Sequence, residues 1–149
     1  YDTLEEVIGL RGEGQGSLAD FGIQYRQLDL TPQGEIDWPA LAQAVRPQTR
    51  LVLIQRSCGY AWRSSLAIAD IAAIVALVKQ QNPNTICFVD NCYGEFIETQ
   101  EPPMVGADLV AGSLIKNPGG TIATAGGYVA GKADLVEQAT CRLTAPGIG

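Results

Sequence analysis

The strand-length apolar runs of this chain are continuous rather than alternating, and that restricts what it can fold into more than any other feature. Leu51–Gln55, Ile86–Val89, Asp108–Ala111 and Gly127–Ala130 each read as a short buried strand. A sheet wetted on one face shows period-two patterning. These runs instead predict an α/β architecture, a mostly parallel sheet covered by helices on both faces. Between the first two runs, Leu66, Ile68, Ile71, Ile74, Val75 and Val78 recur at helical spacing, with Ser64 or Ser65 as cap and Asn82-Pro83 as stop. Asp37 caps a shorter helix with Pro39 in its first turn, running to Val45, and Asp134 caps a helix of about ten residues near the end. Ile23–Leu30 alternates sufficiently to suggest a strand, and Thr31–Gly34 is a turn by composition. Residues 1–22 read as glycine-rich loop with a fragmentary helix.

Composition removes several classes of function. With 10 basic and 16 acidic residues the formal charge is −6, which argues against nucleic-acid backbones as partners. The longest apolar stretch, around Leu66–Val78, is interrupted by Asp70 and is too short to span a bilayer. The first residues, YDTLEEVIG, carry no secretory pattern. Cys58, Cys87, Cys92 and Cys141 form no CxxC pair and read as reduced thiols of a cytoplasmic protein. Histidine is absent, so neither Ser-His-Asp nor Cys-His catalysis is available within these 149 residues. The chain opens at Tyr1 without an initiator Met and closes on APGIG, and reads as a piece of a longer polypeptide.

In open α/β sheets ligands collect beyond the carboxyl ends of the strands. Those ends here are Arg56-Ser57, Asp90-Asn91 and Ser113–Lys116. Asp90, alone, is either a turn-forming strand end or a buried carboxylate that pairs with a protonated heterocycle. Lys116 is either solvated or a nucleophile whose amine pKa is lowered in a partly dry site, with the Asn-Pro-Gly-Gly turn fixing its backbone. An acid closing one strand and a lysine just past the next is a pairing that pyridoxal-phosphate chemistry uses. Ser113 is an ordinary loop serine or a phosphate donor beside the lysine. Gln55-Arg56-Ser57 either caps the sheet or places a polar group near a cofactor oxygen. Weaker candidates complete the picture. Gly12–Gly16 lacks the preceding strand of a dinucleotide loop. Asp90, Glu95, Glu98 and Asp108 fit no magnesium motif and read as solvated carboxylates. Tyr60 and Trp62 read as packing residues.

At FVDNCYGEF and GSLIKNPGG the sequence resembles fold-type I pyridoxal-phosphate enzymes of the methionine gamma-lyase type. More narrowly it resembles the bacterial aluminium resistance proteins, through QRSCGY, VGADLVAGSLIKNPGG, GGYVAG and RLTAPGIG. The resemblance covers essentially the whole chain. It implies Lys116 as the Schiff-base lysine, Asp90 as partner of the pyridine nitrogen and Ser113 as a phosphate ligand. Ser57, on the same rim, is a further candidate cofactor-binding residue. Ile115 departs from the threonine that the better-known lyases carry before the lysine.

The expected activity of the full-length protein is a carbon–sulfur lyase reaction on a sulfur amino acid, in a homodimer or homotetramer. Another pyridoxal-phosphate reaction (transamination or β-elimination) and a non-catalytic α/β binding module are the alternatives. Residues 1–149 are expected to form the central part of the large domain, lacking the upstream phosphate loop and the small C-terminal domain. Such a segment is expected to bind cofactor poorly and to turn nothing over by itself.

Overall fold

The computed structural model describes residues 2–12, 14, 16–145 and 148. They fall into two units, Tyr1–Leu30 and Thr31–Gly149. In the first, helix α1 (Asp2–Ile8) ends where the Glu5 carbonyl accepts from Gly9, Leu10 and Arg11. A 3-10 turn follows at Ala19–Phe21, and the Asp20 carboxylate accepts from the amides of Gly16 and Ser17. The glycine-rich stretch thus follows a helix rather than a strand; its Glu13 and Gln15 lie outside the described residues. The strand expected at Ile23–Leu30 does not form. The segment belongs to no ladder. Its apolar residues change phase between Tyr25 and Leu28, so they cannot share one face, and Ile23, Tyr25, Leu28 and Leu30 are all exposed.

The second unit carries the sheet, with strands β1 (Leu51–Gln55), β2 (Ile86–Asp90), β3 (Leu109–Ser113) and β4 (Gly127–Gly131) in that spatial order. The first three are parallel and β4 is antiparallel to β3. Helix α3 (Ile68–Gln81) crosses between β1 and β2, and α4 (Ala133–Leu143) follows β4. The expected α/β class and mostly parallel sheet are what the chain forms. Ile68, Ile71, Ile74, Val75 and Val78 of α3 pack on Ile54, Cys87, Val89 and Val110 of the strands. Ile71 and Val78 are wholly buried, each contributing about 1.5–3 kcal/mol. On the other face of β1, Leu51 and Leu53 are exposed.

Capping follows the expectation in one helix and departs from it in two. Asp37 accepts from the Ala40 amide at 2.9 Å and starts α2 (Trp38–Ala44). Helix α3 begins later than Ser64 or Ser65; Asp70 in its first turn accepts from the Ala67 amide at 2.9 Å instead. Lys132, not Asp134, occupies the cap of α4, because the Lys132 backbone is tied to Asp108. The final RLTAPGIG stretch runs into residues 146, 147 and 149, outside the described residues. Cys58, Cys87, Cys92 and Cys141 are all free. Among the described residues no helix is long and apolar enough to cross a membrane.

Asp108, read as a solvated carboxylate, is instead buried at the start of β3. Its Oδ2 accepts from Lys79 Nζ at 2.6 Å and from the Cys87 amide at 2.7 Å, and its Oδ1 from Lys132 Nζ at 2.7 Å. One carboxylate therefore joins the last turn of α3, β2, β3 and the entry to α4. A Cβ on Gly131 would stand 2.2 Å from the Asp108 carbonyl oxygen, so the position needs glycine. Burial alone raises the Asp108 pKa, but Lys132, Lys79 and the Cys87 amide outweigh it and hold the carboxyl below its ordinary value. A lowered folded-state pKa stabilises the fold above the unfolded value and loses that contribution as pH falls through the folded one. Asp108→Asn is expected to cost about 1–3 kcal/mol at neutral pH in chemical denaturation. The gap to wild type should close progressively below about pH 4; a gap independent of pH would contradict this role.

Candidate active site

The parallel register places Gln55 beside Asp90 and Asp90 beside Ala111, so these three share one face. Ser113, two residues beyond Ala111, returns to that face at the carboxyl end of β3. The alternate positions, Arg56, Asn91 and Gly112, turn toward the α3 side, as does Tyr128, the partner of Gly112 in β4. The carboxyl rim therefore has two polar sets on opposite sides of the sheet.

The first set contains the lysine and the acid. Asp90 closes β2 half-buried, and its Oδ1 accepts from the Cys92 amide at 3.1 Å in the turn that follows. Lys116 lies in the turn after β3, where its amide donates to the Ser113 carbonyl and its own carbonyl accepts from Gly119, both at 3.3 Å. Its Nζ stands 4.6 Å from the centroid of the Tyr93 ring, a cation–π distance. Tyr93 holds this place with φ of 67°, a left-handed conformation uncommon outside glycine. Cys92 and Asp90 complete the surroundings of the ammonium group.

These neighbours decide the charge on Lys116. Partial burial works to lower its pKa, but the interactions with Cys92, then Tyr93 and Asp90 beside it, outweigh it, and the net direction is up. The expectation of a lowered amine pKa is thus corrected in this structure. Three acidic or π-rich groups surround an amine that is not dry enough for desolvation to dominate. For Cys92, burial raises the thiol pKa first; Lys116 opposes that and Asp90 adds to it.

The two other lysines are bound at the opposite end of the sheet, where Lys79 and Lys132 pair with Asp108. Lys116 is the lysine at the carboxyl rim. The Ser113 hydroxyl makes no hydrogen bond to the described residues, and its carbonyl receives the Lys116 amide. Ser57 lies past the end of β1, with its carbonyl accepting from Arg63 Nη2 at 2.5 Å and Gln55 Nε2 at 3.2 Å. No hydrogen bond joins Ser57 to Lys116 or to Ser113. Tyr60 and Trp62, expected to pack, are fully exposed in the loop that follows.

The second set is a buried network that the sequence reading missed. Arg56, 3% exposed, donates from Nη1 to Asn91 Oδ1 and the Gly94 carbonyl, both at 2.8 Å, and from Nη2 to Glu98 Oε1 at 2.7 Å. Glu95, also read as a solvated acid, is 4% exposed; its Oε1 accepts from the Tyr128 hydroxyl at 3.0 Å. Burial, then Glu95 and Glu101 beside it, push the Tyr128 hydroxyl well above its ordinary pKa, against the opposing effect of Asn91. Gly112 makes room: a Cβ there would stand 2.2 Å from Glu95 Oε1 and 2.6 Å from the Tyr128 hydroxyl. A glycine inside a strand was the available signal for this close approach. The acids considered for magnesium do not converge, since Asp108 lies at the opposite end of the sheet from Asp90. Among the described residues no group of three or more metal-ligating side chains forms.

The methionine gamma-lyase family model matches residues 1–149. The uncharacterized protein YnbB of Bacillus subtilis is 57% identical over 150 aligned positions, covering 100% of this chain and 36% of YnbB. A Listeria innocua crystal structure, described as a cystathionine beta-lyase involved in aluminium resistance, superposes with TM-score 0.96 at 58% identity, covering 100% of this chain and 36% of that one. The L-methionine gamma-lyase of Treponema denticola is 28% identical over 121 positions, 81% of this chain and 28% of that protein. The chain thus spans little more than a third of YnbB and of the Listeria protein. With its whole length matched by the family model and its fold shared with the Listeria structure, this chain belongs to the methionine gamma-lyase family.

Proposed function

We propose that the full-length protein is a pyridoxal-phosphate-dependent carbon–sulfur lyase acting on a sulfur amino acid, and that this chain is the central part of its cofactor-binding large domain. The observation that carries the reading is the meeting of Lys116 Nζ, the Tyr93 ring, Cys92 and Asp90 at the carboxyl rim, in a chain of this family. The donor set fits the cofactor: a primary amine for its aldehyde, a carboxylate for its ring N–H, and a serine hydroxyl unengaged by the described residues for its phosphate. In this reading Lys116 holds the cofactor, Asp90 accepts from the ring nitrogen and Ser113 donates to the phosphate. Ser57 completes the rim at the end of β1. Arg56 is buried in the network on the other side of the sheet.

Pyridoxal phosphate bound there supplies an electron sink for the negative charge that develops at the substrate Cα. The chain's own residues supply the rest. Lys116 Nζ, as free amine, removes the Cα proton. The neighbours that favour its ammonium form keep that proton on Nζ, ready for return to the substrate or to the leaving group. Asp90, fixed by the Cys92 amide, holds the proton of the ring nitrogen so that the ring stays electron-poor. The substrate is a small amino acid and the assembly a homodimer or homotetramer, in the cytoplasm.

The names of the relatives support two elimination branches. Gamma-elimination from methionine, with one water consumed, gives 2-oxobutanoate, ammonia and methanethiol, whereas β-elimination from cystathionine, also with one water consumed, gives pyruvate, ammonia and homocysteine. Product analysis of the full-length protein with each amino acid distinguishes them, and neither branch consumes an amino acceptor. A requirement for an added 2-oxo acid would indicate transamination and overturn both.

Borohydride treatment of the full-length protein loaded with cofactor, followed by peptide mapping, is expected to find the adduct on Lys116. An adduct on Lys79 or Lys132, or none, overturns the assignment. Lys116→Ala is expected to abolish the adduct. Asp90→Ala should retain part of the bound cofactor while lowering turnover about 100-fold or more; turnover near wild type would remove Asp90 from the site.

A further inference from the structure

We propose that Asn117 is a positioning residue that hooks the turn carrying Lys116 onto the loop that follows Asp90. The inference rests on the reading of Lys116 given above and concerns what holds it in place. Asn117 Nδ2 donates to the main-chain oxygen of Glu95 at 3.0 Å, joining two segments far apart in sequence.

The receiving end of this bond is fixed from several sides. The Glu95 side chain is buried under the sheet rim against Tyr128 and Gly112, and its Oε2 has no partner among the described residues. Arg56 grips the preceding carbonyl, that of Gly94, at 2.8 Å. The following amide, that of Phe96, donates to Glu101 Oε1 at 2.8 Å. Tyr93 and Phe96, at φ of 67° and 63°, are held in left-handed conformations that persist only where the surroundings over-determine them.

The donating end is looser. The two backbone bonds at Lys116 are both 3.3 Å long, near the limit for an effective N–H···O contact. These local bonds set the curvature of the turn but not its orientation toward β2. Asn117 supplies a constraint between the two loops, so that Nζ stays over the Tyr93 ring and within reach of Asp90. The glutamate side chain beneath acts on Lys116 only through this bond and the loop it steadies.

The experiment uses the full-length protein stripped of cofactor. Competitive acetylation with acetic anhydride across pH, read by peptide mass spectrometry, gives the titration midpoint of Lys116, with Lys79 and Lys132 as internal references. In Asn117→Ala the Lys116 midpoint is expected to move down, because the amine leaves the groups that favour its charged form, while both references stay in place. After cofactor is added, the borohydride-trapped adduct at Lys116 should form about three- to tenfold more slowly. Asn117→Leu keeps the approximate size and removes the donor without adding a charge beside Lys116, and is expected to behave as Asn117→Ala. Combining Asn117→Ala with Tyr128→Phe should give less than the sum of the single effects, since both act through one loop. An unchanged midpoint and trapping rate in Asn117→Ala, or wild-type behaviour in Asn117→Leu, overturns the inference. Absence of any adduct at Lys116 in the wild type overturns the proposed function instead, and the acetylation midpoint still reports on the hook.

Discussion

The candidate site depends on the buried guanidinium of Arg56. Taking an arginine out of water costs several kcal/mol unless its donors are matched. Here four of its five are: Nε reaches the Leu66 carbonyl at 3.3 Å, Nη1 reaches Asn91 and Gly94, and Nη2 reaches Glu98. The acceptors come from more than one part of the rim. Leu66 precedes α3, Asn91 and Gly94 form the loop after β2, and Glu98 Oε1 also accepts from the Ile68 amide at the start of α3. One side chain from the end of β1 thus fixes the path of the chain that leaves Asp90. Removing it would leave several buried acceptors without donors, a larger loss than the bonds themselves.

Charge is distributed so that the two ends of the sheet do different work. At the amino end of β3, Asp108 takes both Lys79 and Lys132, and its role is to join elements. At the carboxyl end, Arg56 faces Glu98 and Glu101, while Glu95 bonds to Tyr128. This division leaves Lys116 over an aromatic face, with no carboxylate of the described residues bonded tightly to its amine. A strongly paired lysine is a poor nucleophile, because freeing its amine breaks the pair. Cation–π contact holds it more weakly and leaves it able to move.

Much of the framework was legible in the sequence because its signals are local. Leu51–Gln55 and Ile86–Asp90 are strands because their runs are apolar throughout, and α3 follows from the spacing of Ile68, Ile71, Val75 and Val78. Asp90 and Lys116 fell on the rim because parallel topology sends strand ends to one side. Ile23–Leu30 misled because a strand is defined by its partner, and the residues show only the candidate half. Tyr60 and Trp62 misled for a related reason: aromatic character says that a residue can pack, not that a surface is there to receive it. Glu95 and Asp108 were read as solvated because isolated acids usually are; their partners lie far along the chain.

The sequence by itself determined the α/β framework, the strands, the main helix and the placing of an acid and a lysine at neighbouring strand ends. All of these follow from hydrophobic periodicity and chain connectivity, which act between near neighbours. Tertiary structure alone decided which acids are buried, that Tyr93 and Cys92 surround Lys116, that the amine pKa rises rather than falls, and that Asn117 reaches the Glu95 carbonyl. Those outcomes depend on distances through space and on exclusion of water, and charges and donors brought together by folding carry no mark of their partners in the order of residues along the chain.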